Sequence, residues 1–275
     1  MRLLARFIII LLRICEKIAW LLLRVQQFLT GILPTLWPPE ELNRLIRSHY
    51  DSSYRDGTEH NPAEAYGTGL LEWEEDVLAR HKMASGTTVV LGAGVGRESI
   101  ELARRGLHVI GLDISRDALR LAALTARETS TSVTFIQASF YDIPTLPGHI
   151  DYIFLSGIMY SSIPGRQARQ AWLRKLHTHL REGGLTVLSY YNDRAKEPRS
   201  GRLAETFYSW LAGLPGANPT YQPGDLVAQD HFLHAFLNEE ELRSELTEAG
   251  ATILQLNWDK QFTVLSWPHE TVYDE

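Results

Sequence analysis

The chain has 275 residues, of which 44% are hydrophobic and 22% charged, and it contains 20 Gly, 12 Pro and a single Cys. This composition is typical of a globular protein and excludes collagen-like, low-complexity and wholly disordered chains. The single cysteine, Cys15, cannot form an intramolecular disulfide, which favours a reducing compartment. The net charge of −6 gives no support to nucleic-acid binding.

The charge is distributed unevenly along the chain. Residues 1–33 hold five basic residues and one acidic residue, so the other 242 residues carry a net charge of −10. The spacing in this segment predicts one helix that ends near Gly31 and Pro34. Its basic side chains fall within about 60° of arc on an otherwise apolar surface. They are Arg2, Arg6, Arg13, Lys17 and Arg24.

Three interpretations of this helix compete. A secretory signal peptide is disfavoured, because the uncharged run at residues 7–12 is short and no small-residue cleavage site follows. A spanning helix would place Arg13 and Lys17 near mid-membrane, at a cost of about 2.5–3.5 kcal/mol each. We favour a helix in the membrane interface, with residues 1–30 holding the protein on the cytoplasmic face. Packing against the domain or against another subunit of a homo-oligomer stays open as an alternative.

A linker and short helix are predicted at residues 34–49, a loop at 50–69 and a helix within 70–83. Strand-like runs then alternate with amphipathic helices, which predicts a parallel sheet covered on both faces. The predicted strands are 87–91, 107–112, 133–137, 151–155 and 185–190, and the helices are 96–105, 116–129 and 166–180. Residues 191–237 interrupt this rhythm. A helix at 239–249 and two final strand-like runs at 251–256 and 261–266 complete the chain.

A glycine-rich turn follows the first predicted strand. Gly92, Gly94 and Gly96 form a GxGxG pattern, which lets the backbone approach a ligand closely at a helix N-terminus. Asp113 ends the next predicted strand, where a carboxylate can accept hydrogen bonds from ribose hydroxyls. A dinucleotide fingerprint needs a glycine at position 97, which is Arg97, and this argues against a nicotinamide enzyme.

With these residues in place, the sequence resembles the class I S-adenosylmethionine-dependent methyltransferases over roughly residues 50–267. The resemblance is carried by VVLGAGVGRESIELARRGLHVIGLDIS, VTFIQASFYDIP, DYIFLSGIMYSSIP and LREGGLTVLSYY. It implies an α/β fold, a Rossmann-like doubly wound sheet of seven strands with the last antiparallel, and S-adenosyl-L-methionine as cofactor. It also implies that the segment HYDSSY lies over the cofactor. The cofactor-binding residues it implies are Tyr50, Tyr54, Gly92, Ala93, Gly94, Gly96, Asp113, Ile114, Ser139, Phe140 and Ser156.

The sequence departs from the family at two customary acidic positions. The position two residues before the first glycine is Val90, and the position that would bind the adenine amine is Ser139. Of the three customary acids, only Asp113 is present.

The acceptor site is less defined, because methyl transfer mainly requires alignment of acceptor and methyl group and exclusion of water. We expect residues 191–237 to form a lid, and we name Tyr160 and His234 as candidate catalytic residues. No metal site is predicted, and the cluster of Asp230, His231 and His234 is read as fortuitous. The sequence thus predicts methyl transfer to a small or lipophilic acceptor at a membrane surface. The alternative is a non-catalytic, membrane-tethered docking module that retains the fold. Other polar or aromatic residues that could shape the acceptor pocket are Ser161, Tyr190, Tyr191, Asn192, Tyr208, Trp210, Tyr221 and Asp225.

Overall fold

The computed structural model describes residues 2–55, 69–141, 143, 149–155, 157–192, 202–228 and 231–268. Eight α-helices, nine strands and one 3₁₀ turn lie within these ranges. In chain order they are α1 (Arg2–Leu36), α2 (Pro39–Arg55), α3 (Glu72–Arg80), β1 (Thr87–Leu91), α4 (Arg97–Arg104), β2 (His108–Asp113), α5 (Arg116–Glu128), β3 (Val133–Gln137), β4 (Ile150–Leu155), the 3₁₀ turn (Met159–Ser162), α6 (Arg166–His177), β5 (Leu180–Ser189), α7 (Arg202–Ala212), β6 (Asp225–Ala228), β7 (His231–His234), α8 (Glu239–Glu248), β8 (Thr252–Asn257) and β9 (Phe262–Ser266).

Seven strands form one sheet in the order β3-β2-β1-β4-β5-β9-β8. Strands β1 to β5 run parallel, while β9 pairs antiparallel with both β5 and β8. The predicted Rossmann-like sheet is therefore confirmed. Because β1 pairs with β2 on one side and with β4 on the other, the strand order reverses there. Open α/β sheets bind ligands at the carboxyl ends of their strands beside such a reversal.

The core has two layers, one on each face of the sheet. Val89 and Leu91 of β1 contribute to one buried cluster, and Val90, between them, contributes to the other. Successive side chains of a strand point to opposite faces, so a strand buried on both faces reads as a continuous apolar run. Helix α8 closes one layer, and its N-terminus is capped by Asn238, whose side chain accepts a hydrogen bond from the Glu241 N–H.

Helix α1 continues past the predicted end at Gly31 and includes Pro34. Tertiary contacts explain why these two residues do not stop it. The Tyr208 ring lies against Gly31 so closely that a Cβ there would come within 2.6 Å of it. The Asn218 side chain donates to the Pro34 carbonyl at 2.8 Å, and its backbone N–H donates to Thr35. Carbonyls that the helix end leaves open are thus satisfied from outside.

Most of α1 lies outside the domain. Residues 6–29 are exposed on all faces of the helix, including its many large apolar side chains. No helix in the described ranges combines the length and the continuous apolar character needed to cross a membrane.

The last turns of α1 pack on a separate small unit made of helix α7 and the antiparallel β6–β7 hairpin, which we call the lid. Helix α2 also contacts this unit, through Leu42 and Ile46, which cluster with Val227 and Phe232 of the hairpin. The lid thus fills part of the predicted 191–237 insertion, and α1 and α2 are attached to it.

Three predicted boundaries were wrong. Helix α2 runs to Arg55, whereas a loop was expected from residue 50. Helix α6 ends at His177 instead of residue 180. Strand β5 begins at Leu180 instead of residue 185 and includes Gly183 and Gly184; the pairing register with β4 shifts along this stretch. The two final strand-like runs are observed as β8 and β9, which pair antiparallel.

Candidate functional site

The glycine turn after β1 adopts the conformation that its sequence predicts. Gly92, Gly94 and Gly96 all have positive φ angles, between 52° and 89°, which favour glycine. A Cβ on Gly92 would also lie 2.1 Å from the sulfur of Met159. The Ala93 N–H donates to the Leu112 carbonyl at 2.8 Å, so the turn is fastened to the end of β2.

Asp113 sits at the end of β2, directly beside this turn. One carboxylate oxygen accepts from the Gly94 N–H and the other from the Ser115 N–H, each at 2.8 Å. Burial raises the pKa of Asp113, while these backbone N–H groups act in the opposite direction. A carboxylate has about four acceptor positions, so with the backbone N–H groups of Gly94, Ile114 and Ser115 around it Asp113 can still accept a hydrogen bond from a ligand.

A cleft opens beside Asp113. The walls come from the ends of β1, β2, β3 and β4, and helix α2 covers one side. Its lining residues are Ile46, Arg47, Gly92, Asp113, Ile114, Ser139, Phe140, Tyr141 and Met159.

Five residues predicted from the sequence line this cleft, namely Gly92, Asp113, Ile114, Ser139 and Phe140. Ala93, Gly94 and Gly96 belong to the adjoining turn, where Ala93 is buried. Ser156 and the side chains of Tyr50 and Tyr54 lie outside the described residues. That these residues bind the cofactor stays a prediction.

Sequence reasoning missed four lining residues. Tyr141 and Met159 are close neighbours of predicted ones, because Phe140 and the tip of β4 had been singled out. Ile46 and Arg47 lie just ahead of the segment HYDSSY, which was expected over the cofactor. The segment HYDSSY therefore indicated the helix that lines the cleft, and the placement of its own side chains over the cofactor stays a prediction.

Arg97, the residue that replaces a third glycine, forms a buried ion pair. Its guanidinium donates to both carboxylate oxygens of Glu74 at 2.8 Å each and to the Gly69 carbonyl, and it also contacts Glu98. Glu74 accepts from the Leu71 N–H at the start of α3 as well. Burial raises the pKa of Glu74, and the hydrogen bond from Arg97 acts against it. Arg97 thus fastens α3 to the helix that follows the glycine turn.

Tyr160, named as a catalytic candidate, is fully buried behind the tip of β4. Its hydroxyl donates to Glu245 of α8 at 2.5 Å, and Arg169 of α6 forms two hydrogen bonds of 2.8 Å with the same carboxylate. Burial, with the Glu245 carboxylate as the next cause, raises the pKa of Tyr160 well above its ordinary value. The phenol is thus part of a buried network with Glu245 and Arg169.

His234, the second catalytic candidate, is also fully buried. One ring nitrogen lies 2.7 Å from an Asp225 oxygen and the other lies 3.2 Å from Glu241. Burial and the charge of Arg169 lower the pKa of His234, but the two carboxylates outweigh them and the pKa is raised. Both nitrogens are engaged within the lid and α8. The catalytic roles of Tyr160 and His234 stay predictions, and both residues have structural partners.

Gln222 joins these two buried groups into one network. Its side-chain oxygen accepts from Arg169 at 2.9 Å, and its backbone N–H donates to Asp225 at 2.9 Å. The network runs from the tip of β4 through α6 and α8 to the lid. No group of side chains in the described ranges could hold a metal ion; Asp230 lies outside them.

Comparison with known proteins agrees with this geometry. Residues 89–184 match a family model described as a methyltransferase domain. A cypemycin N-terminal methyltransferase from Streptomyces sp is 29% identical over 136 residues, which cover 49% of this chain and 52% of the relative. The chain therefore matches about half the length of this curated relative.

Two solved structures show the same fold. A 1,6-didemethyltoxoflavin-N1-methyltransferase from Burkholderia thailandensis, with S-adenosylhomocysteine bound, is 19% identical, covers 84% of this chain and 89% of its own, and has a TM-score of 0.58. An S-adenosylmethionine-dependent methyltransferase from Clostridium acetobutylicum ATCC 824 is 11% identical, covers 81% and 98%, and has a TM-score of 0.52.

The sheet order, the glycine turn with its carboxylate and the family match of residues 89–184 agree with the class I S-adenosylmethionine-dependent methyltransferases. The recognition made from the sequence motifs is confirmed. The cofactor of this class is S-adenosylmethionine, and the cleft beside Asp113 is its candidate site.

Proposed function

We propose that this protein transfers the methyl group of S-adenosylmethionine to a small or lipophilic acceptor at a membrane surface. The observation that carries the proposal is the cleft itself. A buried carboxylate is held by backbone N–H groups of the glycine turn and still has lone pairs available for the ribose hydroxyls. Backbone N–H groups at the start of α4 suit the polar end of the cofactor.

The chemistry needs little from the protein beyond alignment. The acceptor attacks the methyl carbon in line with the departing sulfur, and the sulfonium leaves as a neutral thioether. The protein's contribution is to hold acceptor and methyl group together and to exclude water. Helix α2 covers one side of the cleft, and the lid is packed against it through Ile46 and its neighbours. These elements suit that task, with Tyr160 and His234 as positioning residues in the buried network.

Similar proteins point to small acceptors without naming one for this chain. One relative is a cypemycin N-terminal methyltransferase, and one solved structure holds 1,6-didemethyltoxoflavin.

We propose the boundaries 1–33 for an amphipathic helix, 34–49 for a connecting segment and 50–275 for the catalytic domain with its lid.

Helix α1 supports a location at the membrane. Its basic residues share one face, and the remaining surface is apolar and exposed between residues 6 and 29. Exposed apolar surface of this extent is unfavourable in water, whereas a bilayer interface accepts the apolar arc and the headgroups accept the basic side chains. We propose a peripheral protein on the cytoplasmic face. A second copy of the chain covering α1 is the competing explanation.

Transfer of a radiolabelled methyl group tests the proposed reaction. The full-length protein is incubated with methyl-labelled S-adenosylmethionine and either a lipid extract or an aqueous small-molecule extract. We expect label to appear in an acceptor from one of these extracts, and Asp113→Ala to abolish most of the transfer. Asp117→Ala, an exposed acid on α5, serves as the matched control. Cofactor binding without transfer to either extract would favour the docking module instead.

A further inference from the structure

Helix α7 of the lid has an exposed apolar stripe. Leu203, Phe207 and Trp210 follow one another at spacings of four and three residues, which places them on one face of the helix, and Leu214 lies just beyond its end. Their exposed fractions are 89%, 39%, 60% and 40%. Apolar surface of this kind, gathered on one face, commonly marks an interaction site.

The opposite side of α7 is fixed to the rest of the molecule. Tyr208 is buried there, and its hydroxyl donates to the Phe28 carbonyl of α1 at 2.9 Å. Helix α7 is thus seated on the end of α1 and turns its apolar stripe away from the domain.

Aromatic rings connect the stripe with α1. The rings of Phe28 and Phe207 stack with centroids 5.9 Å apart, and Phe207 stacks in turn on Trp210 at the same distance. The stripe of α7 and the exposed apolar surface of α1 are therefore continuous where the two helices meet.

We propose that the α7 stripe is a second membrane-contacting surface, which places the lid on an anionic bilayer beside α1. The inference rests on the proposed function, because it takes α1 as membrane-bound. Charge complementarity favours an anionic bilayer, because the adjoining helix carries five basic residues and one acidic residue. Trp and Phe beside Leu suit the depth of the headgroup boundary.

This placement defines the class of acceptor. The lid hairpin contacts α2 through Val227 and Phe232, and Ile46 of α2 lies both in that cluster and in the wall of the cleft. Leu33 of α1 packs against the same cluster, so the end of α1, the hairpin and α2 connect the proposed membrane-facing helices with the wall of the cleft. The acceptor that fits is an amphiphile, whose reactive head enters the cleft while its apolar tail stays in the membrane.

Flotation of the full-length protein with vesicles tests this surface. Vesicles of phosphatidylcholine, with and without phosphatidylglycerol, are mixed with wild type, with the double variant Leu203→Glu, Trp210→Glu, and with the control Leu254→Glu. Leu254 is similarly exposed, at 47%, but lies on strand β8. We expect the double variant to bind anionic vesicles at least about tenfold more weakly than wild type, and the control to stay within about twofold. Residues 202–214 should also gain hydrogen-exchange protection when anionic vesicles are added.

Several outcomes overturn the inference, and they are distinguishable. If wild type and the double variant bind equally, with no protection of residues 202–214, α7 is not a membrane contact although α1 is. Soluble oligomers of wild type that dissociate in the double variant would make the stripe a contact between copies of the chain. A wild type that binds no vesicles would contradict the membrane part of the proposed function itself.

Discussion

At the scale of single residues, the location of the proposed cofactor site depends most on Asp113. Its two oxygens accept from the Gly94 N–H of the glycine turn and from the Ser115 N–H that follows β2, and the residue lines the cleft. The same side chain therefore shapes the site and is placed to contact the ligand. No second acid stands at the customary positions, where the sequence has Val90 and Ser139.

Replacing Asp113 should weaken cofactor binding strongly. We expect Asp113→Ala to cost on the order of 2–3 kcal/mol of binding free energy, because ribose hydroxyls lose a charged acceptor. Calorimetric titration with S-adenosylhomocysteine measures this loss. Asp117→Ala should bind like wild type. An unchanged affinity in a folded Asp113→Ala protein would contradict the assignment of this carboxylate.

His234 gives the lid a dependence on pH. Asp225 of β6 and Glu241 of α8 raise its pKa above the ordinary value of about 6.5, against the opposing effects of burial and Arg169. A raised folded-state pKa means that the protonated form is favoured by folding. Its contribution to stability is complete below about pH 6.5 and is lost as the pH rises through the raised folded-state value.

A variant without the imidazole should not show this contribution. We expect the free energy of unfolding of wild type to exceed that of His234→Gln most at about pH 6, with a smaller difference at about pH 9. Denaturant unfolding at a series of pH values measures the difference. If the gap between the two proteins stays constant over this range, His234 is not charged in the fold.

At the scale of secondary-structure elements, ion pairs of different burial connect the same two helices. Arg97 at the start of α4 binds the buried Glu74 of α3, whereas Arg105 just beyond α4 binds the exposed Glu75. Removing one partner of a buried pair leaves an uncompensated charge, while an exposed pair contributes little.

These two arginines form a matched comparison. We expect Arg97→Met to lower the free energy of unfolding by about 3–5 kcal/mol, because Glu74 is left buried without its partner. Arg105→Met should cost less than about 1 kcal/mol. Urea denaturation of the two variants checks the ranking, and equal losses would show that burial of the Arg97–Glu74 pair adds nothing.

Some elements could be predicted from the sequence and others could not. Strands β1 to β4 and the glycine turn depend on local patterns, namely apolar runs closed by turn residues, and these patterns predicted them closely. The extension of α1 depends on distant residues. Gly31 and Pro34 are helix-ending signals locally, and only Tyr208 and Asn218, far along the chain, show why the helix continues.

The candidate site divides in the same way. Gly92 and Asp113 were predicted because a turn and a strand end are visible in the sequence. Ile46 and Arg47 line the cleft because α2 packs against the lid. This packing cannot be predicted from any local sequence pattern. The buried partners of Tyr160 and His234 were missed for the same reason, since Glu245 and Asp225 reach them only through the fold.

At the scale of the whole molecule, the basic, apolar helix α1 adjoins a domain of net negative charge. We expect the full-length protein to float with anionic vesicles, with each basic residue near the surface adding about 1 kcal/mol at low salt. Salt should weaken only this part, because the apolar arc binds independently of charge. Deletion of residues 1–33 should abolish flotation. A soluble monomer that does not float would contradict a membrane role for α1.

The central claim is that the cleft beside Asp113 binds S-adenosylmethionine. Titration calorimetry of the full-length protein with S-adenosylmethionine, S-adenosylhomocysteine and NAD tests it most directly. We expect saturable binding of one molecule of S-adenosylmethionine or S-adenosylhomocysteine per chain, and no binding of NAD. Binding of NAD, or the absence of binding by both sulfur-containing ligands to the folded protein, would contradict it.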